Sequence, residues 1–424
     1  MGILGIIVML AVCWLLSDAR KSVSIRVILW GVGLQFALAV LVLGIPAIGL
    51  PGILLPVFQL MDKAILSVVT YAKAGTGFVF GPLIDAEKTG FIMVTQVLAI
   101  IPFTAALAAV LLHWGVMQRV VAVIGWVMKK TMRISGVESL AAALNVFFGQ
   151  SDTPLFIKPF LAKMTRSELV CLLVGGFATV AGSILVAYVA ILQPLIPDIG
   201  VHLLTASIMS APAAIVAAKV LSPETAVPLT AGQGGIAIEV SSRSTIDAIA
   251  KGAVDGLKIA AFVTAMLIAF IAVVAMVNSF LTTLGEWMGF AQWGASLLPE
   301  GAQPVLNLQN ILGWLCAPIA WLIGITWSDA HLAGTLIGEK IVLNEFIAYL
   351  NLAEVKDSLD VRSATILSYA LCGFANFGSI GIMIGAMNSL VPERSHDVAN
   401  IGLRALLGGT VSALMTAAVV SILI

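Results

Sequence analysis

Asn145-Val146-Phe147-Phe148-Gly149-Gln150-Ser151-Asp152-Thr153-Pro154 is a polar stretch, bearing Gly and Pro, inside an otherwise oily chain. A second such stretch lies far downstream, Gly324-Ile325-Thr326-Trp327-Ser328-Asp329-Ala330-His331. Carboxylates in hydrocarbon are expensive and persist mostly where they face a cavity, a partner or a ligand. Two Ser-Asp pairs in apolar surroundings therefore predict two broken hairpins facing each other across one solute site.

The surroundings set the class. Of 424 residues, 60% are hydrophobic and 10% charged, and mean hydropathy is +1.09, far from the roughly one-quarter charged residues of a soluble domain. The chain reads as an integral membrane protein. Its long apolar runs lack period-2 alternation, which indicates helices and excludes a barrel. With about 20 residues needed per crossing, there is room for about eight to ten spans. The 22 basic and 22 acidic residues balance, so nothing points to nucleic acid as a partner. Cys13, Cys171, Cys316 and Cys372 lie in apolar segments without metal-type spacing and read as buried thiols. Met1 to Leu16 lacks a basic n-region and a cleavage site and reads as a retained first span.

In chain order, the basic cluster Arg20, Lys21 and Arg26 follows the first span and is cytoplasmic by the positive-inside rule, which puts the N-terminus outside. A second span runs from Ile28 to Ile45. Leu54 to Gly81 reads as an interfacial helix plus loop, Phe91 to Leu112 as a span, and Val116 to Arg133 as an amphipathic interfacial helix ending in cations. Glu138 to Phe160 reads as a re-entrant hairpin, since non-helical backbone at membrane depth is tolerated only where protein or a water-filled cavity covers it. Spans follow at Leu169–Leu192, Leu203–Val220 and Lys251–Val277, with a flexible Gly232-Gln233-Gly234-Gly235 connector before the last of these and an interfacial stretch from Phe280 to Gln303 after it. The second hairpin breaks at Thr326 to His331. Spans at Ile341–Leu352, Thr365–Leu390 and Leu403–Ile424 complete the chain.

Gly176-Phe177-Ala178-Thr179 with Gly182-Ser183 follows the first Ser-Asp pair, and Gly373-Phe374-Ala375-Asn376 with Gly378-Ser379 follows the second. The chain thus contains an internal repeat of interfacial helix, broken hairpin and Gly-interrupted span. Such interruptions in corresponding halves point to a secondary transporter site at the repeat interface near the bilayer midplane. The expected organisation is an N-terminal scaffold at 1–115, a first repeat at 116–220, a connector with a scaffold span at 221–279 and a second repeat at 280–424.

At these residues the sequence resembles the concentrative nucleoside transporter family. Gly149-Gln150-Ser151-Asp152 is similar to its first-hairpin motif, and Asn344-Glu345-Phe346 with Ile347-Ala348-Tyr349, and Gly373-Phe374-Ala375-Asn376 with Ser379, resemble later ones. The resemblance covers nearly the whole chain. It implies an all-α protein of about eight spans and two re-entrant hairpins, a cation-coupled symporter importing nucleosides, multi-pass in a bacterial inner membrane and homotrimeric. It further implies that Gly149, Gln150, Ser151 and Asp152 meet the nucleobase, that Asp329, Asn376 and Ser379 hold the ribose, and that Ile184 and Phe374 line the apolar side. A sodium ion would sit at Asn145 and Thr179 with main-chain carbonyls of Phe148 and Val180; a proton is the alternative coupling ion. Both hairpin acids are Asp where the family pattern has Glu. Two embedded aspartates also raise an intramembrane aspartyl protease, although neither carries a Gly-x-Gly-Asp context, and a channel is the third alternative. His331, two residues beyond Asp329, is a candidate proton relay.

Overall fold

The computed structural model describes residues 1–193, 196–231, 242–294, 298 and 304–424, apart from the side chains of Ala47, Ser151 and Lys356. The Gly232–Gly235 cluster and the end of the expected interfacial stretch lie outside these residues. Among the described residues the fold is helical, with one isolated antiparallel bridge between Ile45 and Leu50. Among the described residues seven helices are long and apolar enough to cross a membrane, or up to eight if a bent pair counts as one span.

The first helices are α1 (Gly2–Leu15), apolar but shorter than the spans just counted, and α2 (Ile25–Leu43), one of those spans. Next comes α3 (Leu55–Phe80), one continuous helix. By length and composition α3 would span, but both of its ends lie at one end of the bundle. Phe58 packs against Val42 at the end of α2 and Val201 in the first turn of the helix Ile199–Leu221, while residues between Gly81 and Lys88 share a groove with Gln193 and Glu354. That placement matches the expected interfacial helix. After it come α4 (Ile101–His113) and the amphipathic α5 (Val116–Met132).

Helix α6 (Gly136–Phe156) carries the first polar stretch. It begins in a capping box between Ser135 and Glu138 and leaves helical geometry at Gly149, φ 72° and ψ −170°, a region open almost only to glycine. The expected span Leu169–Leu192 is two helices, α7 (Arg166–Ala178) and α8 (Gly182–Leu192). Then come α9 (Ile199–Leu221) and α10 (Thr245–Trp287). At 43 residues, α10 runs on through Phe280 to Trp287, the first part of the stretch expected to turn along the interface.

The second polar stretch separates α11 (Leu308–Leu322) from α12 (Trp327–Val342), bent by 117° as a re-entrant pair. Ile341–Leu352 is not one span: the chain breaks at Leu343 and Asn344 and restarts as α13 (Glu345–Val355). Asn344 caps it by accepting the Ile347 amide at 2.9 Å. Thr365–Leu390 is likewise divided, into α14 (Val361–Ala370) and α15 (Phe377–Leu390). The chain closes with α16 (Ser395–Leu423).

Ion pairs and arginine contacts orient the repeats. Arg166, at the start of α7, pairs with Asp18 at 3.1 Å. Arg404 near the start of α16 pairs with the same Asp18, and Arg394, just after α15, donates to the Leu161, Ala162 and Met164 carbonyls. Arg362, at the start of α14, instead donates to the Ser421 carbonyl at the far end of α16. The α7–α8 unit thus starts at the end of the bundle where the α14–α15 unit finishes, and the two broken spans run antiparallel. The repeat is inverted. The arginine-rich end is the cytoplasmic one by the positive-inside rule.

Burial divides the spans. In their most apolar windows, α7–α8 and α16 are 89% and 83% buried, against 17% for α10. Helix α10 is joined to α4 through Gly256, where an added Cβ would lie 2.6 Å from the Pro102 Cα; small residues give helices close approach in a medium that supplies no hydrophobic drive between them. The first helices join the buried group instead: Gly5 of α1 lies against the Leu322 carbonyl and Gly31 of α2 against Val216 of α9. They therefore pack on the repeats.

Candidate functional site

Four helix breaks meet in the interior: Gly149 in α6, Thr179 to Ala181 between α7 and α8, Leu343 and Asn344 between α12 and α13, and Leu371 to Asn376 between α14 and α15. The two broken spans cross at their breaks. Gly373, at φ 128°, sits where an added Cβ would lie 2.8 Å from the Ala178 carbonyl oxygen. Interrupted helices present unpaired N–H groups at one lip and carbonyls at the other, which suits binding of neutral or charged polar groups.

At this crossing a cavity of about 390 Å³ opens, within the range of small-molecule sites. Its polar lining comes from Gln150, Asp152, Asn344, Glu345, Asn376 and Ser379, with Tyr188 and Lys258. Ala181, Ile184, Phe262, Phe270, Phe346 and Phe374 supply apolar and aromatic surface.

The polar groups hold one another in order. Gln150 donates to Ser379 Oγ at 3.0 Å, joining the first hairpin to α15, while its carbonyl oxygen is buried without a partner among the described residues. Asn376 accepts the Ser379 amide at 2.9 Å as the cap of α15 and donates through Nδ2 to Glu345 Oε2 at 3.0 Å. Tyr188 of α8 donates to Glu345 Oε1 at 2.8 Å. The Glu345 carboxylate is thereby held by two donors, as a buried charge requires. Asp152 also lines the cavity, and among the described residues its carboxylate has no hydrogen-bond donor. Lys258 pairs with Asp255 at 2.9 Å.

Beside the cavity, Asn145 is 0% exposed. Its amide nitrogen donates to the Leu172 carbonyl at 3.4 Å, but among the described residues its carbonyl oxygen has no partner. An orphan acceptor at such depth is costly and is the type of oxygen a hard cation takes. Thr179 and Val180 are buried at the adjacent break. The Thr179 hydroxyl donates to the Gly175 carbonyl at 2.9 Å, a bond back to its own helix that leaves its oxygen lone pairs as acceptors. These neutral oxygens fit sodium.

The sequence-expected residues are thus brought together with one exception. Gly149, Gln150, Asp152, Ile184, Phe374, Asn376 and Ser379, with Phe148, line one cavity; nothing is described of the Ser151 side chain. Asp329 does not line it. It sits in the first turn of α12, where Oδ1 accepts from Ser328 and Oδ2 accepts the Asp360 amide at 3.2 Å. The two Ser-Asp tips therefore do not face each other; the breaks carrying Asn376 and Glu345 take the place expected of the second tip. His331 is also outside the cavity, edge-on to Trp314 at 6.2 Å. Sequence reasoning does not place Tyr188 or Lys258 in the site, and for Glu345 it predicts an internal ion pair or hydrogen bond without a substrate role. Only Glu345 carried a signal, as an acid in an apolar run beside Asn344.

Three family models cover nearly the whole chain: "Na+ dependent nucleoside transporter N-terminus" matches residues 4–83, "Nucleoside recognition" matches 94–195 and "Na+ dependent nucleoside transporter C-terminus" matches 202–421. The uncharacterized transporter YutK of Bacillus subtilis is 40% identical over 432 residues, 100% of this chain and 99% of its own. Sodium/nucleoside cotransporter 1 of Rattus norvegicus is 36% identical over 438 residues, 99% of this chain and 63% of its own length. Among solved structures, CNTnw in an inward-facing substrate-bound state superposes with a TM-score of 0.88 at 37% identity, covering 100% of this chain and 97% of that one. The same protein has been captured outward-facing and in intermediate states, with variants matching at TM-scores of 0.86 to 0.88. This chain belongs to the Na+-dependent, concentrative nucleoside transporter family, and it is a membrane transporter, not an enzyme.

Proposed function

We propose that this chain is a sodium-coupled symporter that imports nucleosides across a bacterial inner membrane by alternating access. The observation that carries the reading is the buried, partnerless carbonyl oxygen of Asn145 lying next to a cavity whose lining pairs an ordered carboxylate with apolar and aromatic surface. Sodium bound to that oxygen, with Thr179 and the main-chain carbonyls of Phe148 and Val180, ties the Gly149 break of the first hairpin to the α7–α8 break. The tip that carries Gln150 and Asp152 is then fixed, and the site is complete only with the ion present. This is coupling in the thermodynamic sense: each ligand raises the other's affinity by the same factor.

In this reading the nucleobase lies against Gln150, Ser151 and Asp152 between Ile184 and Phe374. The ribose hydroxyls donate to Glu345, with Asn376 and Ser379 alongside; this role passes from Asp329 to Glu345 because only Glu345 lines the cavity. The inverted repeat supplies two alternative packings of similar energy, and the lipid-facing α4–α10 pair is the element against which it moves. The largely uncovered α10 face suits contact with further copies, in keeping with a homotrimer.

Uptake of labelled uridine and adenosine into proteoliposomes, with sodium and proton gradients imposed separately, tests the proposal. Accumulation should follow the sodium gradient. Accumulation driven only by the proton gradient would replace sodium with a proton, and no accumulation under either would end the symport reading.

A further inference from the structure

Lys340 is the one fully buried lysine on the helix that leads into Glu345. It lies in the last turn of α12 at 1% exposure. Its ammonium has a single hydrogen bond among the described residues, to the Ala370 carbonyl at 2.9 Å. Ala370 is the last residue of α14, immediately before the break that carries Phe374 and Asn376. A cation at a helix C-terminus is favourable, yet one neutral acceptor does not compensate an ammonium at this depth.

The missing negative charge is Glu345, five residues on. The two residues flank the α12–α13 break and reach opposite lips of the same broken span, Lys340 at Ala370 and Glu345 at Asn376. Among the described residues Glu345 has only neutral hydrogen-bond partners, Tyr188 and Asn376. The topology adds a second point. Lys340 holds the residue that ends α14 and Glu345 holds the residue that caps α15, so the pair grips both lips of the broken span from one short segment.

We propose that Lys340 is a positioning residue for nucleoside binding: its buried ammonium balances the Glu345 carboxylate and fixes the α14–α15 break, so that Glu345 is presented to the substrate as an ordered anion. Lys340 does not line the cavity and does not touch substrate. Its effect passes through Glu345, and the proposal rests on the reading of Glu345 as the ribose acceptor.

The test uses the full-length transporter in proteoliposomes, with KM and Vmax for uridine, and uridine binding to the purified protein by calorimetry. Lys340→Gln keeps a donor for the Ala370 carbonyl and drops the charge; Lys340→Met drops both. Both should raise KM and the calorimetric Kd by about tenfold or more, the size of a lost charge-assisted hydrogen bond. In a Glu345→Gln background the same substitutions should add less than about threefold, because the partner charge is already gone. Equal losses in both backgrounds would overturn the proposal and leave Lys340 as a tether of Ala370 alone, as would a normal KM in Lys340→Gln. If Lys340→Met does not fold, the Gln variant carries the comparison. If Glu345→Gln itself leaves KM unchanged, it is the assignment of Glu345 that fails.

Discussion

Replacing Glu345 by Gln tests the site at its most exposed assumption. The side chain keeps its shape, and one amide oxygen remains to accept from Asn376 Nδ2, now at 3.0 Å. The amide nitrogen then faces Tyr188, whose hydroxyl is at 2.8 Å and can turn to accept. The fold should therefore tolerate the change. What is lost is the charge offered to the substrate hydroxyls. A hydrogen bond to a charged group contributes about 1.5–3 kcal/mol, and at about 1.4 kcal/mol per tenfold one such bond corresponds to roughly 10- to 150-fold in affinity. Uridine binding by calorimetry and sodium-driven uptake in proteoliposomes should both weaken by that factor, with the protein still monodisperse in detergent. Asp329→Asn is the matched control, since its carboxylate accepts from Ser328 and the Asp360 amide outside the cavity. It should retain near-normal KM. A normal Kd in Glu345→Gln together with loss in Asp329→Asn would refute the assignment and return the ribose to the second hairpin tip.

Three further outcomes follow from named contacts. Asn145→Leu removes the partnerless buried oxygen and should raise the half-saturating sodium concentration by more than about tenfold, a single charge-assisted contact; an unchanged sodium titration of uptake would exclude Asn145 as a ligand. Gly373→Ala combines φ 128° with an approach of 2.8 Å to the Ala178 carbonyl and should cost about 1–3 kcal/mol, read as a lower thermal unfolding midpoint and lost uptake; a fully active variant would show that the two broken spans need not touch. Gly256→Leu forces a side chain onto the Pro102 backbone and should split α4 from α10 at a cost of about 1–3 kcal/mol, read by thermal unfolding in detergent, while a normal midpoint would contradict the close packing.

The sequence by itself determined the class, the hairpins and most of the pocket. Hydropathy requires helices in lipid because every backbone group must be paired there, and the polar, Gly-bearing interruptions at Gly149, Thr179 to Ala181 and Gly373 to Asn376 stand out against that uniform background for the same reason. Local conformation was legible wherever it depends on residues close in the chain, as in the Ser135–Glu138 capping box and the Asn376 cap. What tertiary structure decided is which interruptions meet. Asp329 and Glu345 are both acids beside broken helices, and local chemistry does not rank them. The crossing of α7–α8 over α14–α15 does, since it carries Asn376 to Glu345 and leaves Asp329 against Ser328 and Asp360. Continuity of a span was equally illegible at Leu343 and Asn344, where an apolar run conceals a break. Hydrophobicity is a property of composition, but whether a carboxylate faces a cavity or a turn depends on segments up to 229 residues apart, the separation of Gln150 from Ser379.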